Sequence, residues 1–155
     1  MPHKISIAGI DLQIEERGQG RPLLFLHHGE GLGAERPWLD ALAARYRVIA
    51  PNLPGWGGSD LPPWLGSVED LAYLTLDMAE AFEMQNAVMV GNSFGGWVAA
   101  EALVRDPSRF SAASTAAEKR EESRTNASAA TQPPKELPTI TAFCISNASA
   151  RSSVR

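Results

Sequence analysis

An α/β fold on a doubly wound, mostly parallel sheet is predicted by three features of the chain. Strand-like runs at residues 22–26, 46–50 and 87–90 are continuously apolar or nearly so, as in strands buried on both faces. Segments of helical spacing separate or follow them, at 38–44, 68–82 and 94–105. Each run ends in a glycine-rich or turn-rich loop, and parallel sheets build their sites outside the carboxyl ends of the strands.

The elements follow in order. Residues 5–8, closed by Gly9, alternate, and residues 11–15 alternate again, so the chain opens on an antiparallel hairpin. Gly18 and Gly20 turn the chain into the buried run at 22–26, which ends in His27-His28-Gly29-Glu30-Gly31. A helix over 38–44 leads to the strand at 46–50 and then to a long turn, Pro51 to Asp60. Ser67 fits an N-cap, with Glu69 and Asp70 in the first helical turn. The helix it starts turns Leu71, Leu74, Met78 and Phe82 inward. The loops after residues 26, 50 and 90 should converge on one end of the sheet.

One of them carries chemistry. The apolar strand at 87–90 runs into Gly91-Asn92-Ser93-Phe94-Gly95-Gly96 and then into a helix. Gly-x-Ser-x-Gly between a strand and a helix lifts a serine hydroxyl onto a sharp turn, a nucleophile elbow. The turn crowds the residues two before and two after the serine, so Gly91 and Gly95 lack a Cβ, and Gly96 lets the helix pack closely on the strand. The helix N-terminus offers N–H groups and positive dipole to a developing oxyanion.

With its His-Gly loop, its Pro54-Gly55-Trp56-Gly57-Gly58-Ser59-Asp60 turn and its Gly-x-Ser-x-Gly elbow in this order, the chain resembles the α/β-hydrolase family over about residues 4–110. The resemblance implies that Ser93 is the nucleophile. It places the oxyanion hole at the backbone N–H of Phe94 and in the loop around Gly29 and Glu30. Either His27 or His28 matches the family's loop histidine, and both are read as loop-orienting, as Gly91, Gly95 and Gly96 are read as structural. A serine at the elbow, in place of aspartate, favours hydrolysis of ester-like or carbon–carbon bonds over epoxide or haloalkane chemistry. The substrate would be a small molecule, with no cofactor and no metal. Residues 54–60 and Asn52 are read as turn residues, and Trp38, Trp56, Trp64 and Trp97 as packing.

Composition narrows the remaining classes. A net charge of −4 and a pI near 5.4 argue against nucleic acid as partner. No run approaches a membrane span, and residues 1–7 contain no secretory apolar core. The single Cys144 excludes an internal disulfide and suits a reducing, cytoplasmic setting.

The chain departs from the family after the elbow helix. The family carries an Asp or Glu and then a His on later strands, yet no histidine follows His28. All 13 glycines lie before Trp97, and Ser, Thr and Ala dominate from Ser111 onward. The expectation is an α/β-hydrolase core truncated near residue 110. An unrelated, disordered, Ser/Thr/Ala-rich tail over 111–155 takes the place of the next strand. The strand at 87–90 then becomes an open sheet edge that invites self-association. Activity would be lost or severely impaired. The alternatives are a non-catalytic pseudoenzyme or fragment, and an interaction protein completed by another chain.

Overall fold

A computed structural model describes residues 2–116. The strands are β1 (His3–Ile7), β2 (Ile10–Arg17), β3 (Arg21–Leu26), β4 (Tyr46–Pro51), β5 (Ala87–Asn92) and β6 (Phe110–Ala116). The helices are α1 (Arg36–Ala43), entered through a 3-10 turn at Leu32–Glu35, α2 (Val68–Ala81) and α3 (Phe94–Arg105). The strands form one six-stranded sheet in the order β1-β2-β4-β3-β5-β6. The β1–β2 hairpin is antiparallel and β2 pairs antiparallel with β4, whereas β3, β4, β5 and β6 run parallel. The predicted fold class is the one observed.

Alternation along β3 separates two apolar layers, because successive side chains of a strand point to opposite faces. Leu23 and Phe25 pack with Leu39 of α1 and with Val48 and Ala50 of β4. Leu24 and Leu26 pack on the other face with Leu71 and Met78 of α2 and Val98 and Ala102 of α3. The predicted inward positions of α2 hold: Leu71, Leu74 and Met78 are buried, and Phe82 is partly buried against the same layer. Ser67 caps α2 through a capping box, its hydroxyl accepting from Asp70 N–H while the Asp70 carboxylate accepts from Ser67 N–H. The Ser67 hydroxyl first, and then the Gly66 N–H, hold the Asp70 carboxyl below its ordinary value.

This winding fixes where a site can form. From β3 the chain crosses through α1 to β4 on one side, and from β5 it crosses through α3 to β6 on the other. The connections leave the adjacent strands β3 and β5 in opposite directions, which opens a crevice at their carboxyl ends. Leu26 and Gly91 are register partners there. The loop at His27 and the elbow at Ser93 therefore leave the sheet side by side.

One expectation is corrected. The stretch after Phe110 was expected not to form a buried strand, leaving β5 as the edge. Residues Phe110–Ala116 instead form β6, parallel to β5 with Val88 opposite Ala112 and Asn92 opposite Ala116. Small residues allow this: Phe110 and Ala113 reach the α2–α3 layer, and no charged side chain interrupts the strand. Among the described residues β6, not β5, is the outer strand on that side, and the Ser114 hydroxyl is buried there without a hydrogen-bond partner. The tail predicted as disordered, and with it Cys144, lies outside the described residues beyond Ala116.

Candidate active site

The elbow is built by backbone crowding. Ser93 sits between β5 and α3 at φ 49° and ψ −109°, a conformation that costs a non-glycine residue of the order of 1–3 kcal/mol. It is exposed. Its carbonyl accepts from the N–H groups of Gly96 (2.9 Å) and Trp97 (3.2 Å), which starts α3 directly after it. A Cβ on Gly91 would lie 2.3 Å from the Gly95 carbonyl oxygen and 2.6 Å from the Gly96 Cα. One on Gly95 would lie 2.1 Å from the Leu26 carbonyl oxygen. Gly91 and Gly95 thus let helix, elbow and β3 meet at backbone contact, with the Gly96 Cα beside Gly91. Phe94 opens α3, and at the first helical position its N–H has no intrahelical acceptor.

Opposite the elbow, the two histidines take different parts. His27 is fully buried at the end of β3. Its Nε2 accepts from Leu53 N–H (2.9 Å), which leaves the proton on Nδ1, facing the His28 carbonyl oxygen. Burial pushes its imidazole below the ordinary histidine value, and the His28 carbonyl only partly offsets this. His27 is accordingly a neutral clamp between β3 and the loop after β4, with both ring nitrogens engaged. His28 begins the loop proper. Its Nδ1 accepts from Glu30 N–H (2.9 Å), so that donor is already engaged. Gly29 is tied through its carbonyl, which accepts from Trp56 Nε1 (2.9 Å).

The third loop closes the site from the β4 side. Gln13 of β2 fastens it: its Oε1 accepts from Asn52 Nδ2 (2.9 Å) and from Gly58 N–H (3.0 Å), and its carbonyl accepts from Asn52 N–H (2.8 Å). The Ser59 hydroxyl donates to the Asn52 carbonyl (2.6 Å) and accepts from Gln13 N–H (2.9 Å). Gly57 is at φ +56°, and a Cβ there would strike the Asn52 amide at 2.6 Å. Residues 52–60 therefore shape a turn, as expected. Trp56 stands between His27, edge to face at 5.4 Å, and Phe94 at 5.8 Å. Together with Phe94, Leu61, Leu65 and Leu71 it lines a mostly apolar cavity of about 350 Å³ beside the elbow.

The structure thus brings Phe94 beside the His27–Glu30 loop through Trp56. Of the four tryptophans read as packing, Trp38 and Trp56 are partly buried, whereas Trp64 and Trp97 are exposed, at 62% and 58%. Aromatic residues at a loop and on a helix face cannot be sorted by spacing, because which face is covered depends on distant elements. Sequence reasoning passed over Glu35 and Gln13. Glu35 is buried at the end of the 3-10 turn, and its Oε1 accepts from Asn92 Nδ2 (2.9 Å) and His28 N–H (3.3 Å). No local pattern marks it, since its partners are 57 and 7 residues away. Among the described residues no group of three or more His, Cys, Asp or Glu side chains could hold a metal ion, and no helix is long and apolar enough to cross a membrane.

A strained serine at the end of a central parallel strand, a glycine-crowded elbow and a His-Gly loop on the neighbouring strand define an α/β-hydrolase core. The comparisons agree: the model of the alpha/beta hydrolase family matches residues 23–149, and the chain belongs to that family. Over 111 residues it is 35% identical to a 2-hydroxymuconate semialdehyde hydrolase of Pseudomonas sp. (strain CF600), covering 68% of this chain and 39% of that protein. Over 96 residues it is 38% identical to a 1-acylglycerol-3-phosphate O-acyltransferase of Arabidopsis thaliana, covering 57% of this chain and 23% of that protein. Among solved structures it is similar to a meta-cleavage product hydrolase from Pseudomonas fluorescens. That likeness has a TM-score of 0.65 and 30% identity, and covers 72% of this chain and 43% of the other. The chain spans less than half the length of these relatives.

Proposed function

We propose that this chain carries the nucleophile half of a serine hydrolase acting on an ester-like or carbon–carbon bond of a small molecule. The observation that carries the reading is Ser93: exposed, strained and seated at a helix N-terminus beside an apolar cavity. Its Oγ attacks the substrate's acyl carbon. The oxygen that becomes negative is met by the Phe94 N–H and by the loop donors at Gly29 and Glu30, each such donor being worth ~2.7–4 kcal/mol. Glu30 N–H serves once it leaves His28 Nδ1. The apolar cavity beside Phe94 suits an apolar part of the substrate. The printed activity of one relative, a 2-hydroxymuconate semialdehyde hydrolase, supports the reaction class.

The proton of Ser93 needs an acceptor, and the histidines near the crevice are committed. His27 uses both nitrogens, and His28 holds Glu30 N–H through Nδ1 while Nε2 faces the Glu35 carboxylate at 3.5 Å. As these 155 residues stand, turnover is therefore severely impaired, on the order of 10⁶-fold below an intact serine–histidine pair. A fluorophosphonate probe is expected to label Ser93 slowly, with labelling abolished in Ser93→Ala while the melting curve is kept. Absence of labelling in a folded chain would leave the second reading, a non-catalytic pseudoenzyme or fragment.

A third reading, a protein completed by another chain, draws on the outer strand β6, which is uncharged over Phe110–Ala116. Uncharged edges are open to strand pairing. Size-exclusion chromatography over a hundredfold concentration range tests it: a shift to larger species with concentration supports pairing, and an invariant monomer removes it. A reducing, cytoplasmic setting belongs to the same proposal and is supported by the single Cys144.

A further inference from the structure

A carboxylate buried at 2% exposure is costly unless it is well hydrogen-bonded. Glu35 occupies such a place where the 3-10 turn meets α1, and its Oε1 collects three contacts from two different strands' ends. Asn92 Nδ2, one residue before the candidate nucleophile, donates to it at 2.9 Å. His28 N–H donates at 3.3 Å, and His28 Nε2 stands at 3.5 Å. On the far side of the same imidazole, Nδ1 accepts from Glu30 N–H at 2.9 Å. A ring nitrogen that accepts carries no proton, so the proton of the neutral ring lies on Nε2, toward the carboxylate.

We infer that Glu35 is a positioning residue: it fixes His28 with its proton on Nε2 and ties the Glu30 loop to the strand that presents Ser93. The inference rests on reading Ser93 and Glu30 as parts of one site. Its chain of contacts runs from Asn92 through Glu35 and His28 to Glu30 and spans the crevice between β5 and β3. The carboxylate orients the imidazole, the imidazole holds the loop N–H, and the amide of Asn92 sets the distance of both from the elbow. A buried acceptor is required at residue 35 and its negative charge is secondary, so glutamine serves and leucine does not.

The test is nitrogen-15 NMR of the full chain, with the His28 ring signals assigned by their loss in His28→Gln. In the unsubstituted chain His28 is expected as the Nε2–H form. Glu35→Leu should remove that preference and raise amide hydrogen exchange of residues 29–31 by at least about tenfold. Glu35→Gln should restore both toward the starting values, a rescue that loss of packing alone would not give. An Nδ1–H form or an even mixture in the unsubstituted chain overturns the inference even where Glu35→Leu fails to fold. So does a folded Glu35→Leu with unchanged ring signals and exchange. None of these readouts needs a reactive serine. If Ser93 resists the fluorophosphonate while the ring and exchange behave as stated, the hydrolase reading fails and the coupling stands. If Ser93 is labelled and His28 is indifferent to residue 35, the coupling fails alone.

Discussion

Gly95→Ala is expected to cost about 4 kcal/mol or more, a magnitude reached only by a short list of severe mechanisms. The added Cβ would lie 2.1 Å from the Leu26 carbonyl oxygen, 2.5 Å from the Leu26 carbonyl carbon and 2.6 Å from the His27 carbonyl oxygen. All three are backbone atoms, so no rotamer change relieves the contact. Relief requires β3 to withdraw from α3, and that withdrawal breaks the pairing of Leu26 with Gly91 that holds the two site loops together. Equilibrium urea unfolding with far-UV circular dichroism measures the loss. Gly33→Ala is the control: its Cβ meets nothing within 4 Å, and the change should stay within about 0.5 kcal/mol. Equal stability of Gly95→Ala and the parent would show that the elbow does not pack on β3 as described.

His27→Ala is expected to cost about 3 kcal/mol, from two sources. Removing Nε2 leaves the buried Leu53 N–H without its acceptor, worth about 1–3 kcal/mol. Removing a fully buried ring also opens a cavity against Trp56. The pH dependence carries the same signature. Burial lowers the folded imidazole below its ordinary 6.5, so between that lower value and 6.5 the unfolded chain binds more protons than the folded one. The His27 contribution is whole above about 6.5 and is lost as pH falls through that window. Urea midpoints from pH 7.5 downward should decline more steeply for the parent than for His27→Ala. Parallel curves would mean that His27 is not buried and neutral.

The fold was legible because its determinants are local. The apolar runs that become β3 and β5 run into glycine-containing loops, and Ser67 with Asp70 marks the start of α2 as its N-cap and the third residue of its first turn. The elbow was legible for the same reason: Gly91, Ser93, Gly95 and Gly96 lie within six residues, and the crowding they relieve is among themselves and the strand beside them. The strand at β6 was not legible. Its Ser, Ala and Thr residues carry little apolar pattern, and their strand conformation follows from pairing with β5 and packing of Phe110 and Ala113 under α2 and α3.

The sequence by itself determined the family, the position of the elbow serine and the steric need for its glycines, since each depends on residues adjacent in the chain. The tertiary structure alone decided which histidine is a buried clamp, that Trp56 bridges the His-Gly loop and Phe94, and that Glu35 joins His28 to Asn92. Apart from the seven-residue step between His28 and Glu35, those contacts connect residues 26 to 57 positions apart. They exist because the winding of β3 and β5 in opposite directions brings the two strand ends into one crevice, a proximity that no local pattern of residues encodes.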